Sequence, residues 1–247
     1  FRQLLKGAGL GSSHLIVDRS RRTVLKDRVV SDRQQLLRVD FESPHPIARE
    51  VEKSVLDKIE ALLPQVDAVI IEDYAKGLLS ERLIKAIFRK VRAARKIAAV
   101  DPNAKTPLSF YKGASVLTPN TKEAENLSGI TIRDEASMIQ AGWFLLRSTQ
   151  AKHVVITRGK EGMAIFSKGS PQVQLIPTYA REVYDVSGAG DTVISVLTLA
   201  LASGATIEEA SILGNLAAGV EVGKLGTATV SRDEILVALE FFGAMAV

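Results

Sequence analysis

The sequence predicts an α/β protein whose mostly parallel sheet is covered by helices on both faces. Three observations lead there. Short apolar, β-branched runs alternate with amphipathic stretches of helical period from residue 68 onward, as in strands buried beneath helices. The last third is mainly helical. With 247 residues, the chain can bury the core of one large α/β domain or two small ones.

The first forty residues differ from the rest. The runs His14–Asp18, Thr23–Val30 and Leu36–Phe41 are separated by charged turns such as Asp18-Arg-Ser-Arg-Arg22, and such close spacing predicts antiparallel strands. Ser43-Pro-His-Pro46 then breaks the chain, which suggests one part over 1–45 and an α/β core over 46–247. In the core, Ala68–Asp73 is predicted as a buried strand and Ser80–Arg95 as an amphipathic helix. Ile97–Val100 and Ala114–Thr118 are further short apolar runs. A helix over Glu135–Arg147 precedes a β-branched strand, His153–Thr157, and Met163–Phe166 and Val173–Pro177 follow as strands. Thr206 with Glu209, and Ser231 with Glu234, have the spacing of capping boxes that open helices.

Composition narrows the chemistry. A net charge of +4 is mildly basic and slightly favours anionic small molecules, but aromatics at 5% offer no stacking platform for nucleic acid. The chain has no cysteine, which excludes disulfides, thiolate catalysis and Cys-ligated zinc and agrees with a cytoplasmic setting. Its three histidines are scattered, so a metal held by side chains alone is not expected. The longest apolar run, Thr192–Ala202, is too short to span a membrane. The basic helix containing Lys85, Arg89 and Arg92 is a solvated face, and Gly7-Ala-Gly9-Leu-Gly11 lacks the preceding strand that a dinucleotide loop needs. The chain begins with Phe1 rather than Met, in the manner of a fragment whose natural start lies upstream.

The segment Asp185-Val-Ser-Gly-Ala-Gly-Asp191 carries the most chemistry. It follows the β-type stretch Glu182–Asp185 and opens a helix near Asp191. Small residues at a helix start let backbone N–H groups approach an anion, which the helix dipole also favours. Asp191 then either caps the helix or takes a proton from an attacking hydroxyl while the amides hold a phosphoryl group.

This segment resembles the C-terminal signature of the ribokinase-like (PfkB) carbohydrate kinases. The resemblance implies a three-layer sandwich with a small antiparallel β lid, Asp191 as catalytic base, and Gly188, Ala189 and Gly190 as an anion hole. It also implies ATP, Mg2+ and a monovalent cation site near Asp185. Thr118-Pro-Asn120-Thr121-Lys122-Glu123 resembles the family's N-x-x-E motif, in which Asn120 and Glu123 arrange magnesium and phosphate through water. Thr157-Arg-Gly159-Lys-Glu-Gly162 resembles its nucleotide loop, and Asn215 falls where relatives line the adenine pocket. The resemblance runs from about Thr23 to Leu236.

Within the family, Ile71-Glu-Asp73-Tyr-Ala-Lys-Gly77, Arg33-Gln-Gln-Leu-Leu-Arg38-Val-Asp40 and Val222-Gly-Lys224-Leu-Gly226-Thr-Ala-Thr-Val-Ser231 resemble the heptose 7-phosphate kinases, as does Thr192-Val-Ile after Asp191. That branch phosphorylates the anomeric hydroxyl of D-glycero-D-manno-heptose 7-phosphate for ADP-heptose and lipopolysaccharide core synthesis, alone or fused to a C-terminal nucleotidyltransferase. Lys26, Arg28, Arg33 and Arg38 are then candidates for the sugar phosphate or a dimer lid, and a homodimer is expected because lone lid strands would expose a sheet edge. Two departures stand out. Asp101-Pro-Asn103 stands where the family has Asp-Pro-Lys, so a lysine is missing unless Lys105 substitutes. The family's early Asp and Gly-Gly-x-x-Asn loop have no counterpart, so part of the sheet and sugar pocket is expected to be missing from this chain. Another sugar or nucleoside kinase of the same fold, and an inactive nucleotide-binding or dimerisation remnant, are the alternatives.

Overall fold

Six strands of the core pair in the order in which the chain makes them: β3 (Ala68–Glu72), β4 (Ile97–Asp101), β5 (Val116–Leu117), β6 (His153–Thr157), β7 (Met163–Ser167) and β8 (Gln174–Ile176). The computed structural model describes residues 1–31, 34–179, 183–226 and 228–245. Strands β3 to β6 are parallel, and β7 and β8 return antiparallel. Alternate side chains leave the sheet on opposite faces. Ala98, Val100, Leu117, Val154, Ile156 and Phe166 therefore enter one apolar layer, and Ala99, Val116, Val155, Met163 and Ile165 the other.

The first layer is completed by helices α2 (Arg49–Leu62), α3 (Glu81–Ala93), α4 (Thr121–Ser128) and α5 (Glu135–Thr149). Helix α3 shows why such a segment folds: the Ser80 hydroxyl accepts the Leu83 N–H at 3.1 Å, and Leu83, Ile84, Ile87, Phe88 and Val91 make one buried stripe. The opposite layer holds α6 (Ala189–Ala202) and α7 (Ile207–Val222), with Val193, Ile194, Leu197 and Ala210 buried against the sheet. Helix α8 (Arg232–Met245) packs on α7. The three-layer α/β expectation is borne out. Both anticipated capping pairs form, with Glu209 accepting the Thr206 N–H at 2.8 Å and Glu234 accepting the Ser231 N–H at 2.8 Å.

Apart from this sheet stands an antiparallel pair, β1 (Leu25–Ser31) and β2 (Gln34–Phe41), with Lys26 opposite Asp40 and Arg28 opposite Arg38. Three local readings need correction. Residues 14–18 form a turn and irregular chain rather than a strand, while a short helix, α1 (Arg2–Gly7), precedes them. The run Ala114–Thr118 contributes only two residues to the ladder. Residues 183–185 are loop, so among the described residues no strand leads into the glycine turn; Glu182 lies outside them. No helix of the described residues is long and apolar enough to cross a membrane.

Candidate active site

The parallel register places Glu72 beside Asp101 at the carboxyl ends of β3 and β4. Open α/β sheets bind their ligands at these strand ends. Helix α6 starts here too, with Gly188 as its N-cap at φ 108°, a left-handed conformation that suits glycine. Asp191 is in the first turn and makes no cap hydrogen bond, so its carboxylate is not spent on closing the helix. The amides of Gly190 and Asp191 have no backbone acceptor among the described residues, leaving N–H groups directed out of the helix start. A Cβ on Gly190 would stand 3.5 Å from Asp101 Oδ2, so the third carboxylate also reaches this point.

Glu72, Asp101 and Asp191 offer carboxylate oxygens that lie within 4.8 Å of one another. Crowding and burial show in the protonation of Glu72 and Asp101. Burial, reinforced by Asp191, pushes Glu72 up to about 7 against the hydrogen bond it shares with Asp101. Burial, then Glu72 and Glu123, pushes Asp101 up to about 8. Glu123 is itself raised by burial. Uncompensated carboxylates with oxygens this close form a donor set of the kind a hard divalent cation takes.

The phenol of Tyr74 donates to both oxygens of Asp191, at 2.9 and 3.0 Å. Burial and that carboxylate push its pKa upward, so the phenol keeps its proton. Next in the chain's order, Asp73 anchors the loop by accepting the Ala75 N–H at 2.7 Å and the Thr106 and Tyr111 hydroxyls, each at 2.6 Å.

Asn120 and Glu123 form a reciprocal capping box on α4, with both contacts at 2.9 Å. Thr157 is bridged to Asn120, and its carbonyl accepts the Thr121 hydroxyl at 3.3 Å, so the N-x-x-E segment and the Thr157 loop lie side by side. Lys122 is exposed and pairs with Glu125 at 3.0 Å. Gly159 and Gly162 both have positive φ; at Gly162 a Cβ would come 1.9 Å from Ile176 O. Asn215 is buried on α7 and donates to Pro177 O at 2.7 Å.

On the lid, Lys26 Nζ lies 5.2 Å from the centre of the Tyr74 ring. Arg28 is close enough to help hold the Asp185 carboxyl down, after the larger effect of Ser187, whose N–H it accepts at 2.9 Å. Arg38 pairs with Asp40 on its own strand, and Arg33 lies outside the described residues. Lys105 is exposed; its backbone N–H, at 3.0 Å from Asn103 Oδ1, makes its contact there. Near the end of α7, Glu221 is fully buried, and neither carboxylate oxygen has a hydrogen-bond partner among the described residues. Burial raises its carboxyl, with Asp185 and Asp191 adding to the rise.

Sequence reading missed Glu72, Asp101 and Tyr74 as site residues. Each belongs to a quoted motif, yet only the strand register and the loop after β3 bring them to Asp191. The available signal was an acid closing each of two successive apolar runs, Ala68–Glu72 and Ile97–Asp101.

The sequence pattern described as "pfkB family carbohydrate kinase" matches residues 1–234. Bifunctional protein HldE of Geobacter sulfurreducens is 44% identical over 235 residues, covering 95% of this chain and 48% of that protein. The chain therefore spans about half the length of the curated relatives it matches. Among solved structures, ribokinase from Giardia lamblia superposes with a TM-score of 0.76 at 20% identity, over 97% of this chain and 78% of the other. Arabidopsis thaliana ribokinase complexed with ribose and ATP gives 0.67 at 19% identity, over 83% and 66%. At such identities these two likenesses speak for the fold.

Proposed function

We propose, since the chain belongs to the pfkB family of carbohydrate kinases, that it transfers the γ-phosphoryl group of ATP to the anomeric hydroxyl of D-glycero-D-manno-heptose 7-phosphate. The observation carrying the chemistry is the carboxylate of Asp191 in the first turn of α6, held by the Tyr74 hydroxyl rather than by the helix cap, beside the Gly190 and Asp191 amides that have no backbone acceptor among the described residues. The acceptor rests on the motifs shared with the heptose-phosphate branch and on relatives 44% identical over nearly the whole chain.

In the reaction, the acceptor oxygen bonds to the γ-phosphorus, the bridge to the β-phosphate breaks, and ADP leaves with that electron pair. Asp191 receives the acceptor's proton. The amides of Gly188, Ala189 and Gly190 stabilise charge on the transferring group, because a helix start presents both N–H donors and a positive dipole end; Gly190 is without a backbone acceptor among the described residues, whereas Ala189 must first give up its 3.3 Å bond to Val186 O. Glu72 and Asp101, with Asn120 and Glu123 through water, would hold Mg2+, which neutralises phosphate charge when bound. Thr121, Lys122, Thr157, Gly159, Gly162 and Asn215 make the nucleotide side, and Lys26, Arg28, Arg33 and Arg38 the sugar-phosphate side. The orphaned Glu221 carboxylate beside Asp185 suits a monovalent cation.

We divide the chain into a lid-bearing part over 1–45 and a catalytic core over 46–247. Exposed Leu25, Val29, Leu36 and Leu37 on the lid support a homodimer, in which these faces would be covered. A nucleotidyltransferase domain in the full-length protein fits the length of the relatives. The protein acts in the cytoplasm in this reading.

Asp191→Asn tests the assignment. Turnover should fall by about a thousandfold or more while ATP affinity, measured by calorimetry, stays near wild type. Retained turnover would refute the base. Rates with fructose phosphate, ribose and nucleoside acceptors, run beside heptose 7-phosphate, test the acceptor.

A further inference from the structure

The loop after β3 ties the candidate base to the lid. Tyr74 spans both oxygens of Asp191 with one hydroxyl, at 2.9 and 3.0 Å, which fixes how the carboxylate is turned. Across the ring sits Lys26 of β1, 5.2 Å from the centroid, a cation–π distance. Two residues on, Lys76 pairs with Glu42, just beyond the end of β2, at 2.5 Å, and its carbonyl accepts a hydrogen bond from Arg21. Gly77 then passes so close to the chain at His45 that a Cβ would meet His45 O at 2.2 Å, and its carbonyl accepts the Ile47 N–H at 3.0 Å. At its start the loop is pinned by Asp73, which takes the Thr106 and Tyr111 hydroxyls. A segment held at both ends cannot let Tyr74 drift.

We infer that Tyr74 is a positioning residue for Asp191, and that Lys26 seats its ring, so that the placing of the lid and the aim of the base are coupled. This rests on the reading of Asp191 as the base. When an acceptor hydroxyl takes one oxygen of Asp191, the Tyr74 hydroxyl keeps the other, and the carboxylate stays aligned for proton transfer. Without that hydroxyl the carboxylate rotates about its χ2 bond, and fewer bound acceptors meet it in line.

The experiment compares wild type, Tyr74→Phe, Lys26→Met and Asp191→Asn. Tyr74→Phe keeps the ring on Lys26 and removes only the donor. It should lower kcat about tenfold, leave KM for ATP and sugar within about twofold, and leave the melting temperature unchanged. An unchanged kcat overturns the inference. So does a fall in KM at constant kcat, which would make Tyr74 a plug, or a loss of activity matched by a loss of stability. A second readout needs no acceptor: the carbon-13 resonance of Tyr74 Cζ, identified by its absence in Tyr74→Phe, should move in Asp191→Asn and, to a smaller degree, in Lys26→Met. No movement in Asp191→Asn refutes the contact, and none in Lys26→Met detaches the lid from the base. If that resonance moves but wild type phosphorylates no sugar, the base reading fails and the positioning role falls with it. If wild type turns over and Tyr74→Phe matches it, the positioning role fails alone.

Discussion

Gly162 shows how tightly a single position is specified. Its φ of 82° lies where side chains are strained, and the space for a Cβ is taken by Ile176 O at 1.9 Å and the Pro177 carbonyl carbon at 2.6 Å. Those atoms belong to backbone leaving β8, which cannot swing aside without breaking the β7–β8 ladder. Gly162→Ala should therefore destabilise the protein by about 2–4 kcal/mol in urea unfolding. It should also weaken ATP binding, because the Arg158 N–H to Gly162 O bond at 2.8 Å closes the loop beside Thr157. Gly159, with no neighbour within 4 Å of a Cβ, meets only the cost of its φ, so Gly159→Ala should be the milder change.

At the scale of elements, α4 combines two demands on Asn120. The side chain closes the helix by accepting the Glu123 N–H, and the same residue is bridged to Thr157 on the side where we propose the nucleotide binds. Asn120→Ala should lose about 1 kcal/mol of stability along with ATP affinity. Asn120→Asp retains a good cap but places another carboxylate near Glu123, Asp101 and Glu72, so stability should hold while ATP affinity falls. Thermal unfolding set beside nucleotide titration separates the two roles, and equal losses in both variants would refute the distinction.

The elements were not equally legible in the sequence. Strand β6 was readable to the residue because His153–Thr157 is a β-branched run bounded by polar turns. Helix α2 went unread: its stripe of Val55, Leu56 and Ile59 is interrupted by Glu52, which is buried in the structure because Arg82 and the Ser80 hydroxyl satisfy it. The expected strand over His14–Asp18 has an apolar run, Leu15-Ile-Val17, but pairs with no strand among the described residues. At the candidate site, the placing of Asp191 and Gly188–Gly190 at a helix start was legible because it lies within one short segment. Glu72, Asp101 and Tyr74 were not, since their meeting depends on the pairing of β3 with β4 and on a contact 117 residues apart.

For the whole molecule, the carboxylate group sets a pH dependence of stability. Glu72 and Asp101 hold protons in the fold up to about 7 and about 8, against 4.5 and 3.8 as their ordinary values. Between those limits the folded state binds more protons than the unfolded one. Their contribution is therefore fully present below about 4 and lost as pH rises through about 8. The melting temperature of the wild type should decline over that window more steeply than that of Asp101→Asn. Added Mg2+ should restore the wild type at the alkaline end more than the variant. Parallel slopes in the two proteins would refute the assignment.

The consecutive strand order has a consequence in time. Each strand of the main sheet pairs with the one made just before it, from β3 through β8, and none waits for a partner encoded far downstream. On a ribosome, where synthesis runs at about 5–20 residues per second, β3, α3 and β4 all emerge well before α6. The strands that carry Glu72 and Asp101 can therefore pair in a nascent chain that has not yet received Asp191, leaving an acidic edge for α6 to dock onto.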